Sequence, residues 1–402
     1  MFNKVLTSRL YYRICCLLLF AITSAASFHG FYDRTHFNEA GLPGAWHEAT
    51  FEGMVDGTAY RPYVYRQLLP DLANWFDRIT PESIKTRLYN RQMNLSATYV
   101  SALTSSSAAW KKPYFFRYFV IYFLTYLSAF FATCAMYLVC RAIDLPPPAS
   151  ALAPVVVIFF IPYIQNGGGY FYDYPELAFL ALAVWFALKL DWWWMIPIVI
   201  LGTWNKESFL IFILTLYPIF RLRSSRLVAL LGVGVLGSIS AAVYYALRLR
   251  FAHNPGSTVF VWWRDELQLL LHPRALLLAT RETYGIPMIM GYTIGPIILM
   301  SWTVWRAWPF LPRAIQRHAQ IAALINIPLY LLFVQPGKLR DLSMLNIAFL
   351  LVLAVNFNQW MIESREPQLL PASDRKQGQP QLSQEVKSPP LPYVENKHRR
   401  HG

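Results

Sequence analysis

The sequence predicts an all-α polytopic membrane protein with about ten transmembrane helices and short amphipathic helices on its extracytoplasmic surface. Three observations predict this class. The 402 residues are 55% hydrophobic and only 14% charged, where soluble domains carry about a quarter charged residues. Apolar runs recur along the whole length. Much of the net charge of +14 falls in short segments between those runs, the positive-inside pattern. On a soluble chain that charge would point to nucleic acid; here it marks topology, and nucleic acid is not an expected partner. The cysteines Cys15, Cys16, Cys134 and Cys140 all fall in or beside apolar runs, with no disulfide or zinc spacing.

The elements follow in order. Lys4, Arg9 and Arg13 precede an apolar run from Ile14 to Phe28. Ser24-Ala-Ala-Ser27 would suit a cleaved signal peptide, while Tyr11 and Tyr12 favour a retained first helix with its basic flank in the cytoplasm. Residues 29–114 form a long extracytoplasmic loop. Within it, Arg66 to Arg78 has an amphipathic spacing, and Thr80-Pro81-Glu82 reads as a helix start with Thr80 as N-cap. Asn94-Leu-Ser96 fits a glycosylation sequon.

The next spans are Tyr118–Val139, Ala151–Ile164, Leu177–Leu188, Trp192–Trp204, Phe209–Phe220 and Leu227–Leu247. Several are shorter than the ~20 residues of a simple span. Arg221-Leu-Arg-Ser-Ser-Arg226 marks a cytoplasmic turn. A second outer loop, 248–285, holds Trp262-Trp263 and an apolar run, Leu267–Leu278, that reads as an interfacial helix. Ile286–Trp305, Ile321–Val334 and Leu342–Met361 complete the polytopic domain, 1–361. The segment 362–402 is rich in Pro, Gln, Ser and charge and reads as a disordered cytoplasmic tail.

Threaded this way, the polar groups gather on the outer face. They are Asp33 after the first span, Arg61 and Arg66 in Tyr60-Arg-Pro-Tyr-Val-Tyr-Arg66, Asp173 and Glu176 in Tyr170-Phe-Tyr-Asp-Tyr-Pro-Glu176, Asn205-Lys206-Glu207, and Lys338-Leu-Arg340-Asp341. Helix N-termini facing outward attract anions. Asn205 and Asp341 are plausible caps there, and Arg61, Arg66, Lys206 and Arg340 add positive charge suited to phosphate. Carboxylates nearby could serve as a general base or hold a divalent metal.

Each group also has a plainer reading. Asp173 and Glu176 have the spacing of a capping box. Lys206 and Glu207 could be a helix-end pair. Arg61 and Arg66 could bind backbone carbonyls or lipid headgroups, and Asp33 could be an ordinary loop residue. His29, Asp33 and His36 have metal-ligand spacing, as many unrelated trios do.

The layout resembles the GT-C type glycosyltransferases, polytopic enzymes that take sugar from a polyprenyl-phosphate donor. Tyr63-Val-Tyr-Arg-Gln-Leu-Leu-Pro70, Tyr172-Asp-Tyr-Pro-Glu-Leu177, Asn205-Lys-Glu-Ser208 and Leu339-Arg-Asp341 are also similar to motifs of bacterial membrane proteins grouped near that superfamily. The resemblance implies a glycosyltransferase of the bacterial inner membrane, and the span count with its basic turns puts both termini in the cytoplasm. Asp33 and Asp173 would be its catalytic acids. Arg61, Arg66, Tyr172, Asn205, Lys206, Glu207, Lys338 and Arg340 would bind lipid phosphate and sugar. Its partners would be membrane lipids and a polyprenyl-phosphate-linked sugar. Asp33 is followed by Arg34 instead of a second acid, so the resemblance fixes no metal ligands. A lipid-linked glycan polymerase or ligase, a transporter or flippase, and a non-catalytic scaffold are the alternatives. The transporter reading would need two related halves and polar groups at mid-span, where no clear internal repeat is present and Asn326, Asn346 and Asn356 are the main candidates.

Overall fold

The structure, a computed structural model, describes residues 2–40, 47–94, 108–164, 169–257, 261–272, 274, 280–283, 286–289, 294–334 and 338–364. Contacts divide the chain into residues 1–359 and a second unit, 360–402, described only to Ser364. The predicted tail, apart from its first residues, and Ser96 of the sequon lie outside the described residues. Among the described residues, five helices are long and apolar enough to cross a membrane: Leu10–Asp33, Lys112–Ala142, Pro147–Ile164, Arg226–Arg250 and Leu339–Glu363.

Helix α1 (Phe2–Thr35) continues past the predicted end at Phe28, because Phe28, Phe31 and Tyr32 are all buried in the core. It stops at His36, Phe37 and Asn38, whose φ angles of 41°, 57° and 61° reverse the chain and place Phe37 fully inside. In the long loop, α2 (Phe51–Val55) starts on Thr50, whose hydroxyl accepts from Gly53 N. α3 (Leu68–Ile79) buries Leu68, Leu69 and Ala73 and exposes Trp75 and Ile79, as its amphipathic spacing predicts. α4 (Glu82–Met93) has Pro81 at its cap position. Thr80 Oγ donates to Phe76 O at 2.8 Å, closing α3 instead of capping α4.

The centre is built by α1 with α5 (Lys112–Ala142), α6 (Pro147–Ile164) and α7 (Asp173–Lys189). α5 and α7 bury runs of small residues, Ala129, Ala132 and Ala135 on one and Ala178, Ala181, Ala183 and Ala187 on the other. Small side chains let helices approach closely where water exclusion supplies no drive between them. Hydroxyls add polar ties: Ser24 to Thr133 at 3.0 Å, Ser27 to Tyr174 at 2.8 Å, and Tyr32 to Tyr118 at 2.6 Å. These bonds make α1 an integral part of the packed core.

α8 (Trp192–Asn205), α9 (Phe209–Thr215) and α10 (Tyr217–Phe220) follow in short pieces. α11 (Arg226–Arg250) leaves Leu227, Leu230, Leu231 and Val235 exposed, an apolar outer face suited to lipid. α12 (Trp263–Leu271) matches the start of the predicted interfacial helix. The predicted span from Ile286 is corrected. Ile286–Ile289 is a strand paired antiparallel with Thr280–Thr283, and α13 starts only at Ile294 and ends at Ala307. The β-branched Thr280, Thr283, Ile286 and Ile289, with Pro287 among them, favour extended backbone over helix. α14 (Arg313–Phe333), a 3-10 segment (Leu339–Leu345) and α15 (Asn346–Glu363) complete the described fold.

Two of the asparagines read within spans are fasteners. Asn326 Nδ2 donates to Asp341 O at 2.9 Å, and its Oδ1 accepts from Met344 N at 3.1 Å, so α14 holds the 3-10 segment. Asn356 Nδ2 donates to Thr303 O at 2.8 Å, joining α15 to α13.

Candidate functional site

The segment Tyr170–Glu176 leads into α7 through a tight passage. A Cβ on Gly169 would stand 2.0 Å from Phe31 Cε2, so only glycine lets the chain pass this close to α1. Gly167 and Gly168 lie outside the described residues. Tyr170 and Tyr172 are buried and stack at 5.1 Å, and Tyr63 stacks on Tyr170 at 6.0 Å. Arg66 lies 4.6 Å from the Tyr172 ring centroid and Arg340 lies 4.5 Å from that of Tyr170. Tyrosine faces thus carry two guanidinium groups.

Four segments far apart in sequence meet on this stack. Arg66 holds Glu207 by two bonds, Nε to Oε2 at 3.1 Å and Nη2 to Oε1 at 2.7 Å, and donates to Tyr172 Oη. Next to it, Gln67 N donates to Trp204 O at 3.2 Å, docking the first loop on the end of α8. Lys206 Nζ donates to Glu176 Oε2 at 2.8 Å and lies 3.4 Å from Asp341 Oδ1. Glu176 Oε1 accepts from Ser208 Oγ at 2.9 Å and Ser343 Oγ at 2.7 Å. Arg340 Nη1 reaches Asp173 Oδ2 at 3.3 Å, and that oxygen also accepts from Tyr170 N at 3.0 Å.

The backbone explains the sharing of partners. Lys206 leaves α8 in an extended conformation, φ −157° and ψ 132°. Extended backbone sends successive side chains to opposite sides. Lys206 therefore turns to Glu176 and Glu207 to Arg66, and the helix-end pair read for Lys206 and Glu207 does not form. The capping-box reading of Asp173 and Glu176 fails as well. Asp173 is the first residue of α7, and Glu176 is bound by side chains 30, 32 and 167 residues away.

Burial opposes every charge in this cluster. For Lys206, Glu176 and Asp341 overcome it and raise the ammonium above its usual value. Burial would raise the Glu207 carboxyl, yet Arg66 holds it below the usual carboxylate range. Lys338 differs: burial and the nearby Arg340 bring its ammonium down to about 8.

A cavity of about 350 Å³ opens on the cluster. Arg66, Lys206, Lys338 and Arg340 form its polar end with Glu207 and Asp341. Leu210, Ile211, Leu329, Tyr330, Phe333 and Val334 form an apolar wall. Asp173 and Glu176 are not on the lining; they stand behind Arg340 and Lys206 as counter-charges. The wall therefore presents four cations against two carboxylates, while the whole cluster is balanced.

The other expected site residues are placed as follows. Asn205 is the last residue of α8, not a cap of the next helix, and its Nδ2 donates to Tyr172 O at 2.9 Å. Asp341 lies inside the 3-10 segment and pairs with Lys206 instead of capping α15. Arg61 takes its plainer reading: Nη2 donates to Gly256 O at 2.8 Å, fastening the first long loop to the turn after α11, and Arg61 does not line the cavity. Asp33 is exposed on the last turn of α1, and none of the bonds of the cluster reaches it. Among the described residues no group of three His, Cys, Asp or Glu side chains could hold a metal ion. The spacing of His29, Asp33 and His36 fails because the helix ends at Thr35 and His36 turns left-handed.

Ser208, Ser343 and the Tyr63–Tyr170 stack are absent from the residues read as the site, and Glu176 and Asp341 are read beside it only as caps. Glu176 and Asp341 carried a usable signal, a charge beside a span end on the same face as Lys206. The serines carried none. Searches against family profiles, curated proteins and solved structures find no match to this chain.

Proposed function

We propose that the chain is a membrane glycosyltransferase that moves a sugar from a polyprenyl-phosphate donor to an acceptor at the extracytoplasmic face. In this reading it has about ten spans, sits in the bacterial inner membrane, and keeps both termini in the cytoplasm. One observation carries the proposal: a single cavity joins a cationic end to an apolar wall. An amphipathic phosphate with an isoprenoid chain needs both halves. The phosphate would sit against Arg66, Lys206, Lys338 and Arg340, and the chain would run along Leu210, Ile211, Leu329 and Phe333.

In the transfer, the bond between the anomeric carbon and the phosphate oxygen breaks, and its electron pair leaves on the lipid phosphate. The cations stabilise the charge that develops there. The acceptor oxygen bonds to the anomeric carbon and gives its proton to a carboxylate. Asp341 lines the cavity with its side chain 21% exposed, so it joins Asp33 as a candidate base. Asp173 orients Arg340 in this scheme. Tyr172 and Asn205 position the stack.

The test is turnover of a polyprenyl-phosphate sugar by purified protein with Asp341→Asn, Asp33→Asn and Lys338→Met. Loss of a general base lowers rate by roughly 10²–10⁴-fold. Full turnover in both aspartate variants would remove the proposed base, and donor binding undiminished in Lys338→Met would remove the phosphate site.

A second reading, a lipid-linked glycan polymerase or ligase, is favoured by the two arginines on the cavity wall. It is distinguished by activity on a lipid-linked oligosaccharide that survives Asp341→Asn and is lost in Arg340→Lys.

A further inference from the structure

The other end of α7 carries a different pair of hollows. α7 has 17 residues, about 25 Å at 1.5 Å per residue. Its two ends thus stand nearly one hydrocarbon thickness apart. A pocket of about 610 Å³ lies at the far end, lined by Lys189, Asp191, Trp192, Trp193 and Arg223 among others. Three turns meet there: α5 to α6, α7 to α8, and α10 to α11. They carry Arg141, Lys189, Arg221, Arg223 and Arg226 against Asp144 and Asp191. Arg141 and Arg221 donate to backbone carbonyls of Leu145 and Ser224. Lys189 and Arg223 are exposed, and no carboxylate among the described residues pairs with either. Lys189 Nζ lies 4.2 Å from the Trp185 ring centroid, and Trp193 is 86% exposed.

The second hollow starts at the same tryptophan. A groove of about 330 Å³ with wholly apolar lining runs from Trp192 past Ile196, Val228, Leu231 and Val235, between α8 and α11. Trp192 itself is fixed, stacked on Phe220 at 4.7 Å and seated on Gly232, where a Cβ would meet its ring at 2.2 Å. A basic pocket with an exposed indole therefore continues into an apolar groove through one rigid side chain.

We propose that these joined hollows bind an anionic phospholipid of the leaflet at the basic end. Its phosphate lies between Lys189 and Arg223, Trp193 sits at headgroup level, and one acyl chain fills the groove. Interfacial tryptophan and cations beside anionic lipid are favourable on general grounds. The groove selects a lipid over free phosphate, since a lone anion leaves it unfilled. The proposal needs the chain to lie in a membrane and does not depend on the transferase reading.

The test titrates delipidated full-length protein with phosphatidylglycerol, phosphatidylcholine and inorganic phosphate, and counts bound lipid by native mass spectrometry. Phosphatidylglycerol is expected to bind roughly thirtyfold more tightly than phosphatidylcholine, from about 1 kcal/mol for each of the two cations at the surface. Lys189→Gln with Arg223→Gln abolishes that preference. Val235→Trp, at an exposed position, weakens both lipids by filling the groove. Arg78→Gln, an exposed cation on α3, leaves binding unchanged. Equal binding of the two lipids, or a preference that survives the double variant, overturns the proposal. Displacement of phosphatidylglycerol by millimolar phosphate would show a free-anion site and also overturn it.

Discussion

The two ends of α7 handle charge in opposite ways. At its start, Glu176, Asp173, Lys206 and Arg340 are buried and matched carboxylate to cation. At its end, Lys189 and Arg223 are exposed, in turns where cations outnumber acids. Burying an ion requires a partner, and removing that partner strands its mate. An exposed cation needs none, because water or lipid phosphate solvates it. The first end is thus held by its own ion pairs, while the second leaves its cations to their surroundings.

Variants sharpen this contrast. Lys206→Met, which strands Glu176 and leaves Asp341 with Arg340 alone, is expected to cost about 3–5 kcal/mol, measured by unfolding in detergent. Adding Glu176→Met should recover part of the loss, and no recovery would mean the pair does not act as a unit. Gly169→Ala drives a methyl into Phe31 and is expected to cost about 1–3 kcal/mol. Phe31→Leu in the same chain should relieve it, read by the same unfolding curves.

The pH dependence separates Lys338 from its neighbours. With its ammonium at about 8, Lys338 is charged below that pH and neutral above it. Binding of a phosphate-bearing donor should therefore weaken as pH rises through about 8. Lys338→Arg, charged throughout, should flatten the profile; an unchanged profile would exclude Lys338 as a phosphate contact. Arg223→Gln, by contrast, should leave stability within about 0.5 kcal/mol of the parent.

Much of the site was legible because topology is a one-dimensional signal. Apolar runs and basic turns put Arg66, Asp173, Lys206 and Arg340 on one face, and the structure joins them. What topology leaves open is depth and direction. Asp33 and Arg61 share the face, yet one stands exposed on α1 and the other fastens backbone at Gly256. Glu176, three residues from Asp173, has the spacing of a cap, and sequence spacing does not separate a local bond from one formed 167 residues away. Ser343 carries no signal, since a small polar residue near a span end is ordinary, and Asn326 stands out in its span without showing that it fastens the 3-10 segment. The strand Ile286–Ile289 stands at the head of an apolar run, and apolar composition alone does not separate a strand from the start of a span.

The order in which the cluster closes has a consequence for biogenesis. When the chain has been inserted only as far as α11, Glu176 already has Lys206 and Ser208 beside it, and Arg66 has Glu207. Ser343, Asp341 and Arg340 come only with the last segment, fastened by Asn326 of α14. Until then Asp173 waits without its arginine in a half-built bundle. A chain truncated before Lys338 should therefore be held by membrane quality control as an unfinished protein, even with most of its helices in place.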